Sequence, residues 1–148
     1  MATQSQAAEL ISKFEGLSLK PYLDSNGKYS IGYGTQYNWD AKRYVLPEDR
    51  ITKDTALRWL KLEIAQRQDA IKKLIKVPVN QNQLDSLTSL AYNIGLGNFQ
   101  LSTLLKKLND KQPKELIAKE FLKWNKVKGI VNDGLTKRRQ LESELFLK

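Results

Sequence analysis

The sequence predicts an α+β fold: a small N-terminal lobe with a short antiparallel sheet, a long connecting helix, and a mostly helical C-terminal lobe. Three observations predict it. Tyr29, Ile31 and Tyr33 alternate with Ser30, Gly32 and Gly34, the period of two that belongs to a strand. Residues 52–76 carry apolar side chains at helical spacing without a break. From Asn80 onward, helix-capping residues and glycine or proline stops recur at short intervals. The chain of 148 residues suits one domain. Its lobes are expected at approximately 15–60, and at 1–14 together with 75–148.

The elements follow in order. Ala8, Leu10, Ile11 and Phe14 fall near helical spacing, so a short helix over 5–14 is expected, with Ser5 as its cap and Gly16 as its stop. Leu19 to Asp24 pairs with the strand that starts at Tyr29. Ser25-Asn26-Gly27 forms a three-residue loop, which sets Asp24 opposite Lys28 and puts Asp24 and Ser30 on one face. Residues 36–51, with Tyr37, Trp39 and Pro47, read as an irregular connector.

A helix of roughly 35 Å then runs from Thr52, its N-cap, to about Lys76. Its stripe is Leu57, Leu60, Ile64, Ile71, Leu74 and Ile75. Asp54 near the start and Lys72, Lys73 and Lys76 near the end suit the helix dipole. Asn80 caps a helix to about Ile94, stopped by Gly95-Leu96-Gly97; Ser102 caps one to about Leu108; Pro113 opens one to about Trp124. A loop over 125–134 leads to a last helix from about Leu135 to Phe146.

Composition narrows the chemistry. The chain has no histidine and no cysteine. A Ser-His-Asp triad, a Cys-His pair, a His- or Cys-ligated zinc and a disulfide are therefore all excluded. Carboxylates, lysines and tyrosines remain as acid/base groups. The net charge is +9, and residues 1–50 contribute none of it: they hold 6 Lys and Arg against 6 Asp and Glu. Residues 101–148 hold 12 against 6, a surface that attracts a polyanion such as nucleic acid, anionic lipid or a carboxylate-bearing wall polymer. No signal-type segment precedes residue 17, and no run of ~18 apolar residues occurs, so neither export nor membrane insertion is expected.

The chemistry concentrates in the first 35 residues. Glu15 ends a helix, where the dipole disfavours negative charge, and Phe14 and Leu17 add apolar neighbours; both favour a protonated carboxyl, as a general acid requires. Asp24 lies on a polar turn that keeps it ionised. Carboxyls in such contrasting surroundings fit the acid/base pair of a glycosidase. Ser30 sets a hydroxyl beside Asp24 able to hold a water, and Gly32 and Gly34 leave that face open for a sugar. The same two acids also fit ordinary exposed positions.

Glu15, eight residues, Asp24, five residues, Ser30, then Ile31-Gly32-Tyr33-Gly34 resembles the signature of the phage lysozymes, or endolysins, of glycoside hydrolase family 24. Ser30 stands where that family usually has Thr. The resemblance continues through Asn80 to Asp85, Ala91 to Gly95, Ser102 to Leu105, Phe121 to Lys126, and Gly134-Leu135 to Arg138, Arg139 and Glu142, which is nearly the whole chain.

The resemblance implies a two-lobed lysozyme-like fold with its site in the cleft between lobes. It implies hydrolysis of the β-1,4 bond between N-acetylmuramic acid and N-acetylglucosamine in peptidoglycan, with inversion. Glu15 would protonate the leaving oxygen, and Asp24 and Ser30 would position the attacking water. Gln36, Tyr92, Asn93, Thr103, Arg138 and Arg139 are candidate substrate-binding residues. Arg138 or Arg139 would pair with Glu15 or contact the polymer. Each candidate also has a plainer role: loop surface for Gln36, packing for Tyr92, a helix end for Asn93, a helix start for Thr103, and a solvated basic helix face for the arginines. Trp39, Trp59 and Trp124 are candidate sugar platforms, with Trp59 and Trp124 better suited to the core. No cofactor and no metal are implied. The partner is the peptidoglycan glycan strand, without nucleic acid or membrane insertion, and a monomer is expected. The implied setting is the host bacterial cytoplasm, with release to the periplasm through holin lesions. Two alternatives remain: a lytic transglycosylase, and a basic wall- or nucleic-acid-binding module that cuts nothing.

Overall fold

A computed structural model describes residues 5–148, and of Ser5 the backbone alone. The expected cap by the Ser5 side chain therefore lies outside the described residues. The fold is α+β, with seven helices and three two-stranded antiparallel sheets among the described residues.

Helix α1 (Ser5–Glu15) buries Ala7, Ala8 and Ile11 and ends on Glu15. Strand β1 (Ser18–Leu23) then pairs antiparallel with β2 (Tyr29–Gly32). The register is the expected one. Tyr22 faces Ser30 and Leu23 faces Tyr29, and the Asp24 N–H donates to the Lys28 carbonyl at 2.8 Å, closing a three-residue loop. Nearer α1 the register shifts, so Ser18 faces Gly32.

The strand stops sooner than its alternation suggests. Tyr33 and Gly34 form a turn, and Ile31 and Thr35 exchange backbone hydrogen bonds of 2.8 Å across it. Gly32 does not leave the sheet bare for a sugar. It is buried against the next helix, and a Cβ there would lie 3.2 Å from the Ala56 Cβ. Small size at this position serves close packing of strand on helix.

The stretch read as irregular contains a hairpin, β3 (Tyr37–Asn38) with β4 (Arg43–Tyr44). Two-residue strands are too short to show alternation. This one is fixed by side chains: Asp49 accepts from both Arg43 guanidinium nitrogens and from the Leu46 N–H, and Tyr37 packs edge-on against Tyr44.

Helix α2 (Lys53–Leu74) is capped by the Thr52 hydroxyl, which accepts from the Thr55 N–H at 3.1 Å. Its 22 residues span about 33 Å. Along that length it meets three apolar clusters in turn. Trp59 packs with Ile31 and Val45 under the sheet; Leu60 and Ile64 pack with Ala7, Ala8, Ile11 and Tyr33; Ile71 joins the C-terminal core.

Helix α3 (Gln81–Ile94) begins with a capping box of Asn80 and Gln83 and is buried continuously from Leu84 to Ala91. Around it lie α4 (Leu96–Gln100), α5 (Thr103–Asn109, capped by Ser102), α6 (Lys114–Phe121) and α7 (Asp133–Phe146, capped by Asn132). Leu84, Leu87, Leu90, Phe99, Phe121 and Phe146 are the centre of this core.

Three details differ from the expected pattern. The Gly95 stop is followed at once by α4. Helix α6 ends at Phe121, because the next three N–H groups bond three residues back instead of four, and this tight turn folds Trp124 against the core. The loop over 125–134 holds a hairpin, β5 (Lys126–Val127) and β6 (Ile130–Val131), turned by Lys128 and Gly129, both at positive φ.

Candidate active site

Glu15 closes α1 and its side chain is 23% exposed. Its Oε2 accepts from Arg138 Nη1 at 2.8 Å, an ion pair between residues 123 positions apart. Pairing with Glu15 is one of the roles expected for the two arginines, and Arg138 fills it. The Glu15 Oε1 lies against the turn after β2: a Cβ on Gly34 would sit 3.4 Å away, with nothing else inside 4 Å. The bare backbone expected at Gly34 is therefore present, and it faces the carboxyl of Glu15.

Asp24 follows β1 and is held on three sides. Oδ1 accepts from the Asn26 N–H at 2.8 Å and the Lys28 N–H at 2.9 Å, while Oδ2 accepts from Gln36 Nε2 at 2.6 Å. The backbone hydrogen bond from Lys28 comes first among the effects that hold its carboxyl below the ordinary aspartate range. Asp24 is therefore ionised at neutral pH. Gln36 is not a free loop side chain. One end anchors Asp24, and the residue lines a cavity of about 320 Å³ with Gly27, Lys28, Tyr29, Tyr44 and Val45. Ser30 is 4% exposed and lies opposite Tyr22 on the face that carries Asp24.

Tyr22 is a site residue that the sequence reading missed. It is 42% exposed and shares a strand face with Asp24, two residues on. Burial pushes its phenol pKa up, and the charges of Glu15 and Asp24 push it further. A protonated phenol thus stands near both carboxylates as a hydrogen-bond donor. The alternation that paired Asp24 with Ser30 points to Tyr22 as well.

The two arginines do not form a solvated basic face. Arg138 is 3% exposed; besides Glu15 it reaches Glu142 Oε2 through Nε at 3.2 Å and the Ser89 carbonyl through Nη2 at 3.0 Å. Arg139 is fully buried and donates to Asn93 Oδ1 at 2.9 Å. Burial lowers its pKa to about 10, still charged at neutral pH. Their position on α7, packed against α3 and α1, is a tertiary fact that a basic run in sequence does not disclose.

Tyr92 is half-buried and its hydroxyl is occupied, donating to the Tyr33 carbonyl at 3.0 Å with Glu63 Oε1 3.2 Å away. The Arg67 guanidinium lies 4.7 Å from the centre of its ring. Glu63, itself buried, also accepts from the Thr35 hydroxyl at 3.1 Å. Tyr92 therefore ties α3 to α2 and to the turn beside Glu15. Thr103 is exposed at the first position of α5, and among the described residues it makes no hydrogen bond to this group. Trp59 is core, Trp124 packs on the C-terminal core, and Trp39 meets Tyr37 edge-on at 5.5 Å. Among the described residues, no cluster of three carboxylates could hold a metal ion.

A fold with an acidic helix end, a pinned aspartate on a hairpin and an arginine returning from the last helix defines a class of two-carboxylate site. The chain belongs to the phage lysozyme family, whose model matches residues 12–142. It is 44% identical over 146 residues to the endolysin of Bacillus phage B103, covering 97% of this chain and 53% of the relative. The chain thus spans about half the length of that relative. The endolysin of Salmonella phage P22 is 39% identical over 147 residues, with 99% of both chains covered. Among solved structures, the endolysin of Escherichia coli O157:H7 phage FAHEc1 superposes with a TM-score of 0.85 at 36% identity, covering 100% of this chain and 94% of the other.

Proposed function

We propose that this chain is an endolysin that hydrolyses the β-1,4 bond between N-acetylmuramic acid and N-acetylglucosamine in peptidoglycan, with inversion. The observation that carries the proposal is the contrast between the two acids. Asp24 is kept ionised by two backbone N–H groups and Gln36, while Glu15 has one oxygen on Arg138 and the other beside a turn cleared of side chains at Gly34.

Glu15 gives its proton to the leaving oxygen. Asp24 accepts a proton from the attacking water, and the Ser30 hydroxyl on the same face orients that water. Inversion calls for a carboxyl separation of roughly 6.5–9.5 Å, room for one water. Tyr22 donates towards the sugar between them. We take residues 1–148 as one lysozyme domain whose lobes, approximately 15–60 and 1–14 with 75–148, meet along α2. The excess of basic side chains after residue 100 suits the carboxylates of the wall polymer by long-range attraction.

The glycan strand is the partner, the protein works as a monomer without nucleic acid, and it reaches the periplasm from the host cytoplasm through holin lesions. Consistent with that route, no helix among the described residues is long and apolar enough to cross a membrane.

A muropeptide digest tests the proposal. Purified sacculi treated with the protein should release fragments with free reducing muramic acid ends, and Glu15→Gln should release none. 1,6-Anhydro ends would establish a lytic transglycosylase instead. Equal clearing by both proteins would establish a binding or membrane-disrupting role.

A further inference from the structure

Behind Glu15 the structure continues into a buried charged chain that the proposed reaction does not use. Glu142 on α7 is fully buried, yet it is a carboxylate flanked by two arginines. Its Oε2 accepts from Arg138 Nε at 3.2 Å and from the Ser89 hydroxyl, and its Oε1 lies 3.1 Å from Arg139 Nε, off the axis of a hydrogen bond. The fork of Arg138 is thereby fully directed: Nε to Glu142, Nη2 to the Ser89 carbonyl, Nη1 to Glu15.

We propose that Glu142 is a positioning residue for the reaction at Glu15: it fixes the Arg138 guanidinium against Glu15 and balances its charge.

The inference rests on the reading of Glu15 as proton donor. A guanidinium fork can aim one nitrogen only when its other nitrogens are held, and here an ionised carboxylate and a helix carbonyl hold them. Burial of such a pair is costly, and replacing it with apolar packing is often neutral or stabilising, so stability alone gives little reason for Glu142 here. Its spacing, four residues after Arg138 and three after Arg139, puts all three on one face of α7.

The charge sequence Glu15, Arg138, Glu142, Arg139 alternates inward from the site. The charged groups facing Glu142 are Arg138 and Arg139 on its own helix and, beyond Arg138, Glu15 on α1. Helix α3 contributes the Ser89 hydroxyl and, to Arg139, the Asn93 amide. Helix α6 meets α7 through the uncharged Ala118 carbonyl, which accepts from Ser143. Burial raises the Glu142 pKa, and the two guanidinia and Ser89 oppose that rise.

Without the Glu142 carboxylate, Arg138 Nε loses its acceptor and the guanidinium is no longer aimed at Glu15, so turnover should fall while binding of the glycan should not.

The test is Glu142→Gln, which keeps the shape but removes the charge and replaces one acceptor oxygen with a donor. Its kcat and KM with soluble glycan strands are measured beside the parent and Glu15→Gln. The expected result is a kcat down about tenfold with KM within twofold. A kcat equal to the parent's, or a loss carried by KM, overturns the positioning role.

If Glu15→Gln still turns over, the reading of Glu15 itself fails, whatever Glu142→Gln does. If Glu142→Gln does not fold, Glu142→Asp replaces it, keeping the charge but withdrawing it from Arg138. Lowered kcat with KM unchanged supports the proposal, and the parent's kcat overturns it.

Discussion

Gly34→Ala tests whether the turn after β2 is bare for the sake of Glu15. Gly34 has φ +87, a left-handed conformation that costs an L-residue about 1–2 kcal/mol. The added methyl would meet one atom within 4 Å, Glu15 Oε1 at 3.4 Å, an ordinary contact distance that adds little strain. The stability loss should therefore be the backbone cost alone, a Tm lower by ~3–6 °C for a domain of this size. Activity should fall much further, about 10–100-fold in kcat, because the methyl occupies the space from which Glu15 reaches a leaving oxygen. Gly129 provides the matched control. Its φ is +81, nothing lies within 4 Å of its added Cβ, and it sits in the β5–β6 turn. Gly129→Ala should lose the same few degrees and keep its activity. Thermal melts and turbidity clearing of permeabilised cells measure both quantities on the same samples. If the two variants were equally stable and equally active, Gly34 would be a turn residue with no bearing on Glu15.

Other outcomes follow from the same geometry. Gln36→Ala removes a hydrogen bond that lowers the Asp24 pKa, so the ascending limb of the kcat/KM profile, which needs Asp24 ionised, should move to higher pH; an unmoved limb would detach Gln36 from catalysis. Ser30→Ala should lower kcat about tenfold or more while Ser30→Thr keeps it, and equal rates for parent, Ala and Thr would remove the hydroxyl from the mechanism. Asp49 is held well below the usual aspartate pKa, chiefly by Arg43. Its stabilisation is therefore complete above the unfolded value of about 3.9 and lost as pH falls towards the folded one. Asp49→Asn should be less stable than the parent at pH 7, with the gap closing in acid, as denaturant melts at several pH values would show. Trp59→Ala should cost about 3–5 kcal/mol in the same melts, since it empties the cluster under the sheet.

The first 35 residues disclosed their arrangement because local rules govern them. The loop length set the hairpin register, register set the faces, and the faces joined Asp24 to Ser30. The caps at Thr52, Asn80 and Ser102 were equally legible, since each side chain bonds an N–H three residues on. What escaped depends on distant partners. Gly32 looked like open strand until α2 arrived with Ala56. The β3–β4 hairpin is defined by Asp49, several residues beyond it, and not by any alternation of its own. The burial of Arg138 and Arg139 follows from α7 lying against α3, and no periodicity in residues 133–146 marks two arginines as interior.

The same distance effect bears on Tyr92 and Asn93, for which both a place in the sugar cleft and a plainer role at the helix end are expected. Ser89, Tyr92 and Asn93 are three and four residues apart, so they share a face of α3. Ser89 and Asn93 both bond α7, Ser89 through Glu142 and Arg138 and Asn93 through Arg139, while Tyr92 bonds the Tyr33 carbonyl beside Glu63. This face of α3 therefore has its polar partners only when α7, α2 and the turn after β2 are all in place. That condition also sets Glu15, since its two neighbours, the Gly34 turn and Arg138, are the segments this face holds. The surroundings of Glu15 are therefore assembled by the folding of the whole chain rather than by its local motif. Substitutions on α3 that touch no sugar should still change kcat. Ser89→Ala, which removes one hydroxyl from Glu142 and leaves the helix intact, is the mildest of them, and a parent-like kcat for it would confine the role of this face to stability.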